Sequence, residues 1–290
     1  MSKVEAIQQM AAGATQALTA QVQDWCRFLV IAGRFFKYRF LEQVLIYTQR
    51  PTATACASYE LWNSRMRRRI RRGRAGIALL YRSNDGKPAL RYVFDVADTV
   101  ELEDSLSPEP WQYSAKYHEA VTAHLAQQFQ TPQGKLEDML ISLSALAASK
   151  VAEKSRDNIL LAVKGSSLDG GGEDAALGSF AAAATVSLAF LLLARCGYDL
   201  DAFFTKEDFA GITGFSTRKS VLALGNTVSD NACVILRQIE AAIRDYDAAP
   251  PKPVSPAPAP RRRGRPPKAQ TQDKPQDKPK KKTKTGGKKP

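Results

Sequence analysis

The sequence predicts an α+β fold: a small N-terminal helix-plus-β-hairpin domain, an all-helical domain and a disordered basic tail. Residues 77–81 and 90–96 have the composition of two strands, and residues 83–88 between them have the composition of a turn. From Trp111 onward the apolar residues recur at helical spacing. After Ala248 the chain becomes rich in proline and lysine. We therefore expect domains at residues 1–105, 106–248 and 249–290.

Helices are predicted on both sides of the hairpin. Residues 3–29 favour one helix or a broken pair, and residues 34–49 carry a broad apolar stripe that ends before Pro51. The predicted helices of the second domain cover residues 115–129, 135–149, 155–163, 174–196 and 217–245. Residues 180–194 are almost entirely apolar, but a bilayer needs about 20 such residues. We therefore expect a buried helix there and no membrane partner.

Positive charge is concentrated in two places. The chain carries 42 basic and 29 acidic residues, a formal net charge of +13. Residues 249–290 hold 14 basic and two acidic residues, which leaves 28 basic and 27 acidic residues in residues 1–248. Seven of those 28 are arginines within residues 65–74, and without them residues 1–248 would have a net charge of −6. Such a distribution indicates a polyanionic partner.

The arginine segment, residues 65–74, has three interpretations. It is a solvated face, a localisation or membrane-surface patch, or a phosphate-binding surface in which guanidinium groups hold backbone oxygens and nearby aromatic rings stack on bases. Gly73 and Gly76 fit a close approach to phosphate and equally fit a plain tight turn. Trp62 is either a stacking ring or a core anchor. The candidate nucleic-acid-binding residues are Tyr59, Trp62, Arg65, Arg67, Arg68, Arg69, Arg71, Arg72, Gly73 and Arg74.

Residues 38–81 resemble the N-terminal single-stranded-DNA-binding domain of ArdC-type antirestriction proteins, in the version that opens large helicase-like proteins of bacterial conjugative elements. The matching features are Leu45-Ile46-Tyr47, Pro51, Trp62, the basic approach to Gly73 and Gly76, and the strand that follows. Residues 195–230 also resemble the helical segment that comes next in those proteins. The resemblance implies single-stranded DNA as the ligand. Glu42 departs from the family pattern and would weaken a phosphate contact on its helix face.

No catalytic motif is found in the sequence. ArdC-type proteins carry a metalloprotease-like domain, but His118 and His124 here are six residues apart, which puts them on different faces of a helix. Neither a phosphate-binding loop nor a nucleophile elbow is present, and the four cysteines form no C-x-x-C pair. We expect no enzymatic activity, no metal and no cofactor, although an active site without a known motif stays an alternative.

The tail offers a second contact with DNA. Arg263, Gly264, Arg265 and Pro266 form an AT-hook-like core that suits the narrow minor groove of A·T-rich duplex DNA, and a generic electrostatic tail is the alternative. The N-terminus has no signal-peptide run. A cytoplasmic, nucleoid-associated protein is therefore expected.

The sequence thus predicts a non-enzymatic DNA-binding protein of a bacterial mobile or conjugative element. Its expected partner is single-stranded DNA. One alternative is a binder or regulator of A·T-rich duplex DNA that acts through the tail. Another is an adaptor for conjugative-transfer or helicase proteins.

Overall fold

The computed structural model describes residues 1–108 and 110–249, and this part of the chain begins with three helices: α1 (Lys3–Ala17), α2 (Val22–Arg34) and α3 (Phe40–Gln49). The helix predicted over residues 34–49 is wrong at its start, because residues 35–39 turn the chain between α2 and α3. Phe35 and Phe36 are buried there in two different apolar clusters. The Gln43 amide donates to the Phe35 and Tyr38 carbonyls at 3.1 and 2.9 Å, which stabilises the turn.

Five short strands follow α3 in the described chain: β1 (Cys56–Ser58), β2 (Arg68–Ile70), β3 (Ile77–Arg82), β4 (Pro88–Asp95) and β5 (Thr99–Glu101). β1, β4 and β3 form an antiparallel sheet in that order, and β2 pairs with β5. In the β3–β4 hairpin Ile77 lies opposite Val93 and Arg82 lies opposite Pro88. The predicted hairpin is therefore confirmed, whereas β1, β2 and β5 were not expected.

The second half of the described chain contains the predicted helices: α4 (His118–Phe129), α5 (Leu136–Lys154), α6 (Arg156–Val163), α7 (Glu173–Cys196) and α8 (Arg218–Ala248). α7 is the central helix, and it packs against α2, α5, α6 and α8. Among the described helices, α7 alone is long and apolar enough to cross a membrane by length and composition. The most apolar window of α7 is 67% buried inside the protein. This burial agrees with the buried helix that the sequence predicts over residues 180–194.

The N-terminal helices and the later helices share one core, so the structure differs from the division predicted between residues 105 and 106. Trp25 and Phe28 of α2 lie in the same apolar cluster as α7 and α8. Two buried hydrogen bonds also cross the predicted boundary, from Trp25 Nε1 to Ser187 Oγ at 2.9 Å and from Ser229 Oγ to Gln43 Oε1 at 2.7 Å. Met1–Ala249 is accordingly one compact unit.

A smaller cluster attaches the hairpin to this core. Ile7 and Ala11 of α1, Leu45 and Ile46 of α3, and Leu79 of β3 are among its buried members. The β-layer is therefore held on the helices by apolar contact. The tail and its AT-hook-like core lie outside the described residues.

Candidate nucleic-acid interface

The arginine segment begins at a fixed helical turn. After β1 the chain makes a π-helical turn over Leu61–Arg65, in which Trp62 is 2% exposed. Trp62 Nε1 donates to the Phe94 carbonyl of β4 at 2.8 Å. Burial contradicts the predicted stacking role of Trp62, and its alternative interpretation as a core anchor fits the structure. The ring holds the start of the arginine segment against the sheet.

Arg68 is a structural residue of β2. It lies opposite Glu101 in the β2–β5 pair and is 7% exposed. Its Nε donates to Thr99 Oγ1 and one terminal nitrogen donates to Glu101 Oε1, both at 2.8 Å. Because these contacts occupy a buried guanidinium group, they contradict the predicted phosphate contact of Arg68.

The turn after β2 is anchored by a buried carboxylate. Asp98 is 1% exposed, and its side chain pairs with Arg50 at the end of α3. Arg74 Nε lies 3.7 Å from the other Asp98 oxygen, and the Arg71 backbone N–H donates to the Asp98 carbonyl at 2.8 Å. Arg74 is thus partly engaged by an acid, although half of its side chain is exposed. No local pattern in the sequence indicates this anchor, because Arg50 and Arg74 lie 48 and 24 residues from Asp98 in the chain.

Five arginines of the segment remain available to a ligand, and we call them the free arginines. They are exposed, and within the described part of the chain none has a carboxylate within 4 Å. They are Arg65, Arg67, Arg69, Arg71 and Arg72. On β2, exposed Arg69 follows buried Arg68, as strand alternation requires, whereas exposed Arg67 precedes the strand with a left-handed φ of 51°. Two arginines of the segment are therefore paired with carboxylates, and the other five are exposed without such a partner in the described chain.

The two glycines of this region have different roles. Gly73 has φ +81°, a left-handed conformation, and a Cβ there would meet no atom within 4 Å. It serves the tight turn between Arg72 and Arg74. A Cβ on Gly76 would lie 3.0 Å from Tyr92 Cβ and 3.0 Å from the Phe94 ring. Gly76 therefore permits close packing of the chain on β4.

One aromatic ring beside the segment is accessible. Tyr59 follows β1 directly and is 57% exposed, in contrast to buried Trp62 three residues later. An exposed phenol ring six residues before the first free arginine in the chain can stack on a nucleobase while the arginines hold phosphates. Tyr59 and the free arginines together form the arginine face.

The residues considered for chemistry lie elsewhere and have local partners. His118 Nδ1 is 3.0 Å from the Tyr113 hydroxyl, and His124 Nε2 is 2.9 Å from Gln238 Oε1. Within residues 1–108 and 110–249 no three His, Cys, Asp or Glu side chains are grouped so as to hold a metal ion. Burial raises the pKa of the Cys26 thiol to about 11 and that of Cys196 to about 12, so both thiols are protonated at neutral pH.

Comparisons with protein-family models, with curated proteins and with solved structures gave no match. Function is therefore inferred from the geometry of the chain itself.

Proposed function

We propose that this protein binds single-stranded DNA through the arginine face and is a non-enzymatic DNA-binding protein of a bacterial mobile or conjugative element. One observation carries the proposal. Five exposed arginines without carboxylate partners among the described residues lie on a short strand and on the turns before and after it. Without the arginine segment, residues 1–248 would have a net charge of −6. A cationic surface built into an otherwise acidic body is suited to a polyanion.

Single strands suit this surface better than duplex DNA. Guanidinium groups bind phosphate oxygens through charge-assisted hydrogen bonds, and this requires no particular base. Tyr59 adds a ring whose stacking partner must be an unpaired base, because the faces of paired bases are already stacked. The resemblance to the ArdC-type domain supports the same ligand.

The tail supplies a second, weaker contact in this proposal. Its 14 basic residues raise the local concentration of DNA around the arginine face, as any tethered second site does. A cytoplasmic, nucleoid-associated location follows from such ligands. The Arg263–Pro266 sequence favours a second candidate function, in which the tail binds A·T-rich duplex DNA and the arginine face contacts a protein of the transfer machinery.

The test is a fluorescence-anisotropy titration of the full chain with single-stranded and duplex oligonucleotides of one sequence at two salt concentrations. One variant replaces the five free arginines with Gln. Its control removes five other exposed basic charges at Arg27, Lys150, Lys154, Lys164 and Lys206. The two variants have the same net charge and the same tail.

The arginine-face variant should lose affinity for single strands, and the control should lose much less. Its log–log salt slope should fall by about 3.5, because each phosphate contact on a single strand contributes about 0.7. Wild-type affinity of the arginine-face variant for single strands would reject the proposal. Tight binding restricted to the duplex in both variants would support the tail-based alternative.

A further inference from the structure

A second basic surface lies at the turn end of the β3–β4 hairpin, whereas the arginine segment precedes the other end of the hairpin. A groove of about 1210 Å³ opens there between α1, the start of α3, the hairpin end and the start of α8. Its charged lining residues are Glu5, Lys37, Arg39, Glu42, Arg82, Arg91 and Arg218. Five of the seven are basic, so the groove has positive charge in excess.

Neighbouring groups neutralise only part of that charge. Lys37 pairs with Glu240 and Arg91 pairs with Glu42, each at 2.6 Å. The Glu5 carboxylate accepts a hydrogen bond from the Ser2 backbone N–H at 2.7 Å within the cap of α1. Glu42, the acid that departs from the family pattern, is thus engaged by a groove arginine.

The guanidinium groups of three groove arginines have no carboxylate within 4 Å among the described residues, although the Arg39 backbone N–H donates to Glu42 Oε2 at 3.1 Å. Arg39 precedes α3, Arg82 ends β3 and Arg218 begins α8. Arg82 also donates to the Gly86 carbonyl at 3.1 Å, which fixes it at the hairpin end. The three arginines come from separate elements of one compact unit and line the same groove. The fold therefore brings them together as one cationic site.

Exposed tyrosines lie in the groove and on the hairpin that leads to it. Tyr81 lines the groove and is 44% exposed. Tyr92, opposite Ala78 at the second position of β3, is 38% exposed, and Lys3 Nζ lies 5.0 Å from its ring centroid. Because side chains alternate along a strand, Tyr92 lies on the other face of the hairpin from Tyr81. Tyr81 is therefore the hairpin ring that suits base stacking in the groove.

The spacing suits one nucleic-acid strand. Arg72, the free arginine nearest to the hairpin in the chain, and Arg82 are ten residues apart, so they are separated by at most about 33 Å at 3.3 Å per residue. Stacked nucleotides advance about 3.4 Å each, so about ten of them cover that length. This number lies within the usual range of single-strand site sizes, about 4 to 16 nucleotides.

We propose that the groove binds further phosphodiesters of the same single strand that occupies the arginine face, with Tyr81 stacking on one of its bases. This inference rests on the proposed function. The hairpin then joins two contact sites: the arginine face and the three unpaired groove arginines.

The experiment compares oligo-deoxyadenylates of five and twenty nucleotides on the full chain. The groove variant is Arg39→Gln, Arg82→Gln and Arg218→Gln, and its control is Arg27→Gln, Lys150→Gln and Lys154→Gln. A stacked five-nucleotide strand covers about 14 Å at 3.4 Å per step and reaches one site only. The groove variant should therefore bind the five-nucleotide strand as the wild type does.

With the twenty-nucleotide strand the groove variant should bind about ten times more weakly than its control, with a salt slope lower by about 2 for three lost contacts. Circular dichroism and thermal melting of both variants check that each is folded. Equal affinities of the groove variant and its control for the long strand would overturn the inference, as would equal losses on both lengths. The five-arginine variant, measured in the same series, tests the proposed function separately, because it should lose affinity for both lengths.

Discussion

Seven arginines within ten residues have two different roles. Arg68 and Arg74 lie beside carboxylates, one in the β2–β5 pair and one at the buried Asp98. The free arginines point to solvent without such partners in the described chain. The same side chain therefore stabilises the fold at one position and is available to a ligand at the next. The role of each arginine depends on whether the fold places an acidic residue from a distant part of the sequence beside it.

The largest effect should come from the free arginines. Replacing all five with Gln removes up to five charge-assisted contacts, so we expect about a thousandfold weaker binding of single-stranded DNA, or about 4 kcal/mol. The melting temperature should stay unchanged, since none of the five has a structural partner among the described residues. Titration and melting of the same preparation check both statements. A large fall in melting temperature would mean that the two groups of arginines are not separate.

Asp98→Asn tests the structural arginines. The change leaves Arg50 and Arg74 beside a neutral amide in a site where the carboxylate is buried, so we expect a loss of about 2–3 kcal/mol in the free energy of unfolding. DNA affinity at a temperature where the variant is folded should change less than tenfold. Chemical denaturation measures the stability. Asp85→Asn, at an exposed acid in the hairpin turn, is the control and should have no measurable effect.

Tyr59 and Trp62 extend the comparison to aromatic rings. Tyr59→Ala should lower the affinity for single strands by about 1–2 kcal/mol through lost stacking and leave stability unchanged. Trp62→Phe should leave the affinity unchanged and cost about 1–2 kcal/mol of stability, because it removes the hydrogen bond to the Phe94 carbonyl. If Trp62→Phe weakened DNA binding in the folded protein, the ring would contact the ligand after all.

The smallest effect concerns Cys56 of β1. Burial, with Asp95 as a second cause, raises the pKa of its thiol to about 12, so the thiol is protonated at pH 8. Alkylation at Cys56, followed by mass spectrometry, should be slow in the wild type and in the five-arginine variant. It should be several-fold faster in Asp98→Asn, because the less stable protein opens more often and the Asp98 charge no longer raises the pKa of the thiol. Equal rates in all three proteins would show that Asp98 does not stabilise the region around β1.

Local patterns in the sequence predicted the helices and the hairpin well, because the spacing of apolar residues and the turn at residues 83–88 are local signals. The three short strands had no such signal, since β2 owes its conformation to Thr99 and Glu101, about 30 residues away. For the same reason the sequence located the arginine segment but did not separate Arg68 from Arg69. The groove was not predicted because its arginines come from three distant segments. The shared core was not predicted because the sequence around Trp25 and Phe28 does not indicate that these residues pack against α7.

The apolar core that the N-terminal and later helices share limits which fragment of the chain can carry a folded arginine face into a fusion protein. A gene fusion carrying only residues 1–105 would supply the whole arginine segment, yet the apolar face of α2 would lack the surface of α7 that covers it. Such a fragment would be prone to aggregate, since large uncovered apolar patches promote association. A fusion that is to keep the arginine face folded should therefore carry the whole compact unit Met1–Ala249.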